Sequence, residues 1–249
     1  MSEHMFRSVV VVGGTALARV IGEQLTVPGV DVAVVEVVDS GRLTGVDLVI
    51  EAVSQRDGAK AEALAAVTAA VGPDVVVATT TTGGSVTELA ADLPSPGRVI
   101  GLVWHHAVAG ARTVEVIRGR QSTASVLERV TTLVELVPDK DVVVIDDRPG
   151  GLLHSLLMPY LNDVVQAYDE DLASAEDLDL ALRLGLGYRV GPLELLDTIG
   201  LDEHLGATAA AHRSTADGRY APPPLLARMV AAGELGAQAH HGFRTQEEN

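Results

Sequence analysis

The stretch SVVVVGGTALA, residues 8–18, decides how this chain is read. Its opening run of β-branched residues makes a strand suited to burial on both faces. Gly13 and Gly14 then mark a tight turn, and Thr15-Ala16-Leu17-Ala18 opens an Ala-rich helical segment over 15–25. A second apolar run, VDVAVVEV at 30–37, carries Glu36, 23 residues after Gly13. Strand, turn, helix, strand and acidic residue in that order is the Rossmann layout. The pyrophosphate of NAD is expected at the N-terminus of the helix, on Gly13, Gly14, Thr15, Ala16 and Leu17. Glu36 is expected on the adenosine ribose, which favours NAD over NADP. The G-x-G-x-x-G fingerprint is kept in part, with Thr15 for the second glycine and Ala18 for the third. The other reading is a βαβ unit that keeps its shape without its dinucleotide.

Working outward, further strands are predicted at 46–53, 74–78, 98–104, 112–117 and 141–145, and further helices at 57–71 and 122–137. Strands apolar on both faces and separated by helices predict a doubly wound, mostly parallel sheet. Composition changes at Asp146-Asp147-Arg148-Pro149-Gly150, and beyond it helical periodicity runs to residue 245. The expected organisation is therefore α/β: a Rossmann-like dinucleotide-binding domain over 1–147, then a smaller all-α domain over 148–249. PPP at 222–224 is expected to start a helix, since Pro is tolerated in the first turn.

Composition excludes several function classes. The formal charge of −16 argues against nucleic acid, whose recognition needs a basic footprint, and against anionic membrane surfaces. No uninterrupted apolar run approaches the roughly 18 residues of a membrane span. The start, MSEHMFRSVVVVGG, has no basic segment, long apolar segment or cleavage site, so a cytoplasmic protein is expected. With no cysteine there are no disulfides, no thiol catalysis and no Cys-based zinc site. His105 and His106 are adjacent, but neighbours on an extended segment point to opposite faces, so no metal site is expected.

The chain resembles the 3-hydroxyacyl-CoA dehydrogenase family over nearly its whole length. The resemblance is carried by VDLVIEAV (46–53), SVTELA (85–90), RVIGL (98–102), VEVIRG (114–119), MPYLND (158–163), LRLGLGY (182–188), GPLELLD (191–197), PPPLLARMVAAGELG (222–236) and HGF (241–243), in order. It implies an NAD-dependent oxidoreductase of fatty acid metabolism, acting on a β-hydroxy or β-keto substrate and dimerised through its helices. Functional positions depart from that pattern. In the family a G-L-H-F-F-N-P segment places the catalytic His where this chain has Val103, while its carboxylate partner is kept as Glu115. Thr82 stands where an N-T-S-S motif has the Ser that hydrogen-bonds the substrate oxygen. His106 replaces the cofactor-facing Asn, and His154 replaces the active-site Asn that follows an S-P-G-F segment. Gln55 replaces an acidic residue that contacts the cofactor, and the nearby Lys60 is kept. Only 14 residues separate Glu36 from Glu51, where the family inserts a helical hairpin that grips the CoA nucleotide.

An aliphatic Val103 accepts no proton, and a buried Glu115 without its imidazole faces an uncompensated desolvation cost. His154 is the candidate replacement, as an acid/base group coupled to Glu115; the other reading is a packing residue in an idle cleft. Trp104 reads as a packing residue. Three readings stay open. The first is a diverged oxidoreductase whose substrate need not be free acyl-CoA. The second is a non-catalytic subunit paired with an active homologue, and the third is a lyase or cyclase that dispenses with hydride transfer. A homodimer is expected in the first reading and a heterodimer in the second.

Overall fold

The computed structural model describes residues 6–54, 58–105 and 111–244. They form two compact units, and the chain passes from the first to the second between Leu152 and Leu153.

The first unit is built on seven strands: β1 (Ser8–Val12), β2 (Asp31–Val35), β3 (Leu48–Glu51), β4 (Val76–Thr79), β5 (Val99–Trp104), β6 (Thr113–Arg118) and β7 (Asp141–Asp146). Their order is β2-β1-β3-β4-β5-β6-β7, and every pairing is parallel except β5 with β6. The helices of this unit are α1 (Ala16–Gln24), α2 (Ala59–Ala70), α3 (Val86–Ala90) and α4 (Ala124–Glu135). The central strands bury both faces, as the Val- and Ile-rich sequence requires of a parallel sheet. Ile50, Ile100, Leu102 and Trp104 pack on one face with Ile21 of α1 and Val130 of α4. Val99, Val103 and Ile117 pack on the other with Val86 and Ala90 of α3. Edge strand β2 is mostly exposed.

Two long-range contacts fix elements that local propensity leaves weak. The Arg98 guanidinium caps the end of α2, donating to the carbonyls of Thr68 at 3.0 Å and of Gly72, the favoured place for a cation. The Asp147 carboxylate, just after β7, accepts from Val86 N (2.9 Å), Thr87 N (2.8 Å) and Ser85 Oγ (2.6 Å). It thereby holds α3, which at five residues is far too short to persist alone.

The second unit is helical: α5 (Leu153–Asp169), α6 (Ala175–Leu186), α7 (Pro192–Ile199), α8 (Leu201–Thr215) and α9 (Pro224–Ala231). Pro224 opens α9 as the first-turn rule expects. Leu193 and Leu196 of α7 are fully buried against Leu161, Val165 and Leu226, each contributing about 2 kcal/mol. The Asp179 carboxylate docks the start of α7 by accepting from Leu193 N (2.8 Å) and Glu194 N (3.1 Å). Among the described residues, no helix is long and apolar enough to cross a membrane.

Candidate active site

The β1–α1 turn depends on Gly13. At φ +154° it donates its N–H to Val35 O at 2.8 Å, and a Cβ there would collide with the Ala52 carbonyl. Thr15 is the N-cap of α1: its hydroxyl accepts from Ala18 N at 3.1 Å and donates to Ala52 O at 2.8 Å. The residue that replaces the second fingerprint glycine thus closes the turn from within. Ala18, in place of the third, is fully buried, which suits the close helix–strand packing the fingerprint needs. Ala16 and Leu17 follow in the first turn, where backbone N–H groups have no intrahelical acceptor and favour an anion. Glu36 is exposed just beyond β2. The tight glycine turn, the open first helical turn and the exposed carboxylate of Glu36 fit a dinucleotide.

Lys60 is buried on α2. Its ammonium lies 3.0 and 3.2 Å from the two oxygens of Glu51 and 3.2 Å from Thr80 Oγ1. Glu51 also accepts from Thr79 Oγ1 (2.6 Å) and Val53 N (2.7 Å). This network ties the end of β3 to α2 and to the end of β4. Thr82 follows in the loop after β4 and is half-buried, while Thr81 Oγ1 accepts from Gly84 N at 3.0 Å.

On β5 and β6, Val103 sits directly opposite Glu115 in the antiparallel register, and both are buried. Glu115 has an imidazole partner, that of His105: Nε2 lies 2.9 Å from Glu115 Oε1. The other carboxylate oxygen accepts from Leu152 N at 2.7 Å. The sequence reading missed His105, although the signal was present. Side chains alternate along a strand, so the rule that separates His105 from His106 also puts His105 on the side of Val103. His154 stands in the first turn of α5, in the second unit. His106 and Gln55 lie outside the described residues. Trp104 faces away from Glu115 into the core beside α1, donating from Nε1 to Gln24 Oε1 at 2.7 Å.

Fold and site together define a Rossmann-like α/β unit followed by a helical unit, with a buried His–Glu pair on the sheet. Residues 33–148 match the pattern of the 3-hydroxyacyl-CoA dehydrogenase, NAD binding domain, and residues 152–246 that of the C-terminal domain. The chain belongs to the 3-hydroxyacyl-CoA dehydrogenase family. It is 35% identical over 202 residues to a probable 3-hydroxybutyryl-CoA dehydrogenase of Bacillus subtilis, covering 81% of this chain and 70% of that one. It is 35% identical over 208 residues to a 3-hydroxybutyryl-CoA dehydrogenase of Mycobacterium tuberculosis, covering 83% and 73%. The crystal structure of M. tuberculosis FadB2 superposes with a TM-score of 0.87 at 28% identity, over 98% of this chain and 100% of the other. The (S)-3-hydroxybutyryl-CoA dehydrogenase PaaH1 of Ralstonia eutropha gives a TM-score of 0.82 at 28% identity, over 98% and 100%.

Proposed function

We propose that this protein is an NAD-dependent oxidoreductase acting on the β-hydroxy or β-keto group of an acyl substrate, a reading supported by the match to an NAD binding domain and by relatives named 3-hydroxybutyryl-CoA dehydrogenase. The observation that carries this reading is the β1–α1 turn. Gly13 is pressed under Ala52, Thr15 caps the helix, and the first turn of α1 is left for an anion. NAD, when bound, would supply the acceptor for the hydride of the substrate carbon. Gly13, Gly14, Thr15, Ala16 and Leu17 hold the pyrophosphate in this reading and Glu36 the ribose, with Lys60 on the cofactor side. Thr82 hydrogen-bonds the substrate oxygen and Glu115 belongs to the reacting centre in this reading, and His154 is the acid/base candidate carried by the helical unit. Between β2 and β3 the chain has no insertion to grip a CoA nucleotide, so acyl groups on other carriers are also substrates in this reading.

Isothermal titration with NADH, followed by oxidation of 3-hydroxybutyryl-CoA with NAD, tests the reading. Saturable NADH binding that NAD competes away is expected, together with turnover. No binding up to millimolar NADH and no turnover of any β-hydroxyacyl compound would reject it.

The protein is also proposed to be a homodimer through its helical unit. Leu180 and Leu184 of α6 lie four residues apart, on one helix face, and both are exposed, as are Leu186 and Tyr188. A second copy covering these side chains removes apolar surface that a monomer leaves in water. Leu184→Asp is expected to convert a dimer to a monomer in sedimentation experiments; an unchanged mass would exclude this face.

A further inference from the structure

We propose that His105 is the acid/base group of this protein, two residues beyond the place where its family carries the catalytic His, with Gly151 and Leu152 as positioning residues. The inference rests on the oxidoreductase reading above and deepens it by naming the base.

The register of β5 and β6 shows how the base moves. Val103 faces Glu115 directly, and the next position on the same face of an extended chain is 105. Diagonal neighbours across an antiparallel pair are within reach of long side chains, and His105 Nε2 meets Glu115 Oε1 at 2.9 Å. Val103, at 1% exposure, fills the space beneath, where it packs with Val86 and Ile117. The imidazole has therefore moved one step along the strand while the carboxylate has stayed in place.

The linker is shaped to this arrangement. Gly151 has φ +61°, and a Cβ there would collide with Glu115 Oε2. The absent side chain gives the carboxylate room to reach Leu152 N at 2.7 Å. With one oxygen on Leu152 N–H and the other on His105, Glu115 is held by both ends.

The pair fixes the tautomer. An ionised carboxylate only accepts, so Nε2 carries the hydrogen and the lone pair of the neutral ring is on Nδ1. As the β-carbon is oxidised, its hydride leaves with the nicotinamide and the hydroxyl proton passes to Nδ1. The C–O bond becomes a carbonyl, and the imidazolium beside Glu115 later returns its proton to water. The imidazole is 1% exposed, so Glu115, 2.9 Å away, is the group that meets the charge formed on the ring.

The test compares pH profiles of 3-hydroxybutyryl-CoA oxidation for the full-length protein and the variants His105→Gln, Glu115→Gln, Gly151→Ala and His154→Gln. His105→Gln is expected to lower kcat by about 10²–10⁴-fold, to leave NADH affinity unchanged, and to abolish the acid-side fall of kcat/KM. Gly151→Ala and Glu115→Gln are expected to lower kcat and displace that fall, which loss of packing alone does not do. Glu115→Gln decides the matter if His105→Gln fails to fold. The proposal is overturned if His105→Gln stays within about threefold of the parent, or if the acid-side fall disappears in His154→Gln instead. If the parent protein turns over no β-hydroxy compound, the oxidoreductase reading has failed, and ¹⁵N imidazole spectra judge the pair by itself. An Nε2–H ring on His105 that changes in Glu115→Gln supports the pairing, and an Nδ1–H ring overturns it.

Discussion

Lys60→Met is expected to destabilise the first unit by about 3–5 kcal/mol, the usual cost of stranding one member of a buried ion pair. Glu51 is fully buried and Lys60 nearly so, and the ammonium contacts both carboxylate oxygens. Without it, the carboxylate keeps, among the described residues, the Thr79 hydroxyl and Val53 N–H. Two neutral hydrogen bonds do not offset burial of a full charge. Glu51→Gln in the same background removes that charge, so the double variant is expected to be more stable than Lys60→Met alone. The cycle of single and double variants isolates the coupling, because the two groups share partners and their effects are not additive. Urea unfolding of the four proteins measures it. A Lys60→Met loss below about 1 kcal/mol, in the range of exposed pairs, would show that water reaches Glu51. The consequence for function is local. Glu51 and Lys60 bind Thr79 and Thr80 at the end of β4, and the loop leading to Thr82 starts there.

The sheet was legible in the sequence because its strands are nearly continuous β-branched runs, and burial on both faces leaves few other uses for such runs. The nucleotide turn was legible because Gly13 answers a steric demand that no other residue meets. α3 was not read as a helix, and the structure shows why. The carboxylate that holds it belongs to Asp147, 62 residues away from Ser85, and no local window contains that contact. In the sequence His105 is one of two adjacent histidines, whose alternation along an extended segment argues against a shared metal. Its proximity to Glu115 follows only once β5 and β6 are known to be antiparallel in that register, and register is a tertiary fact. Family motifs drew attention to position 103, where the chain has only packing. The polar core of the helical unit gave no signal at all: His204 sits in an Ala-rich helix among ordinary surface residues and has no motif around it.

Acidification is expected to destabilise the helical unit through that residue. Burial pushes the His204 imidazole down from 6.5 to about 4. Its Nε2 lies 3.0 Å from Asn162 Oδ1, and the Asn162 amide donates to Thr208 Oγ1 at 2.8 Å. Thr208 donates in turn to Tyr220 O at 2.9 Å, and Tyr220 donates to Ser155 O at 2.9 Å. A neutral ring donating to Asn162 completes the chain. In the unfolded chain the imidazole takes up a proton as pH falls below 6.5, while the folded protein refuses it until about pH 4. The unfolded state thus binds more protons across that window, and stability falls with pH. At about 1.4 kcal/mol per pH unit, the loss approaches about 3 kcal/mol by pH 4. Asp197 acts in the opposite sense, because burial raises its carboxyl above the ordinary carboxylate value, so the parent curve alone does not isolate the histidine. His204→Gln does, because an amide can donate to Asn162 but does not titrate. Urea unfolding of both proteins between pH 7.5 and 4, followed by the helical signal, should give a shallower slope for the variant. Parallel curves would mean that His204 is protonated in the folded protein, and the Asn162 network would then have to accept a charge it is built to exclude.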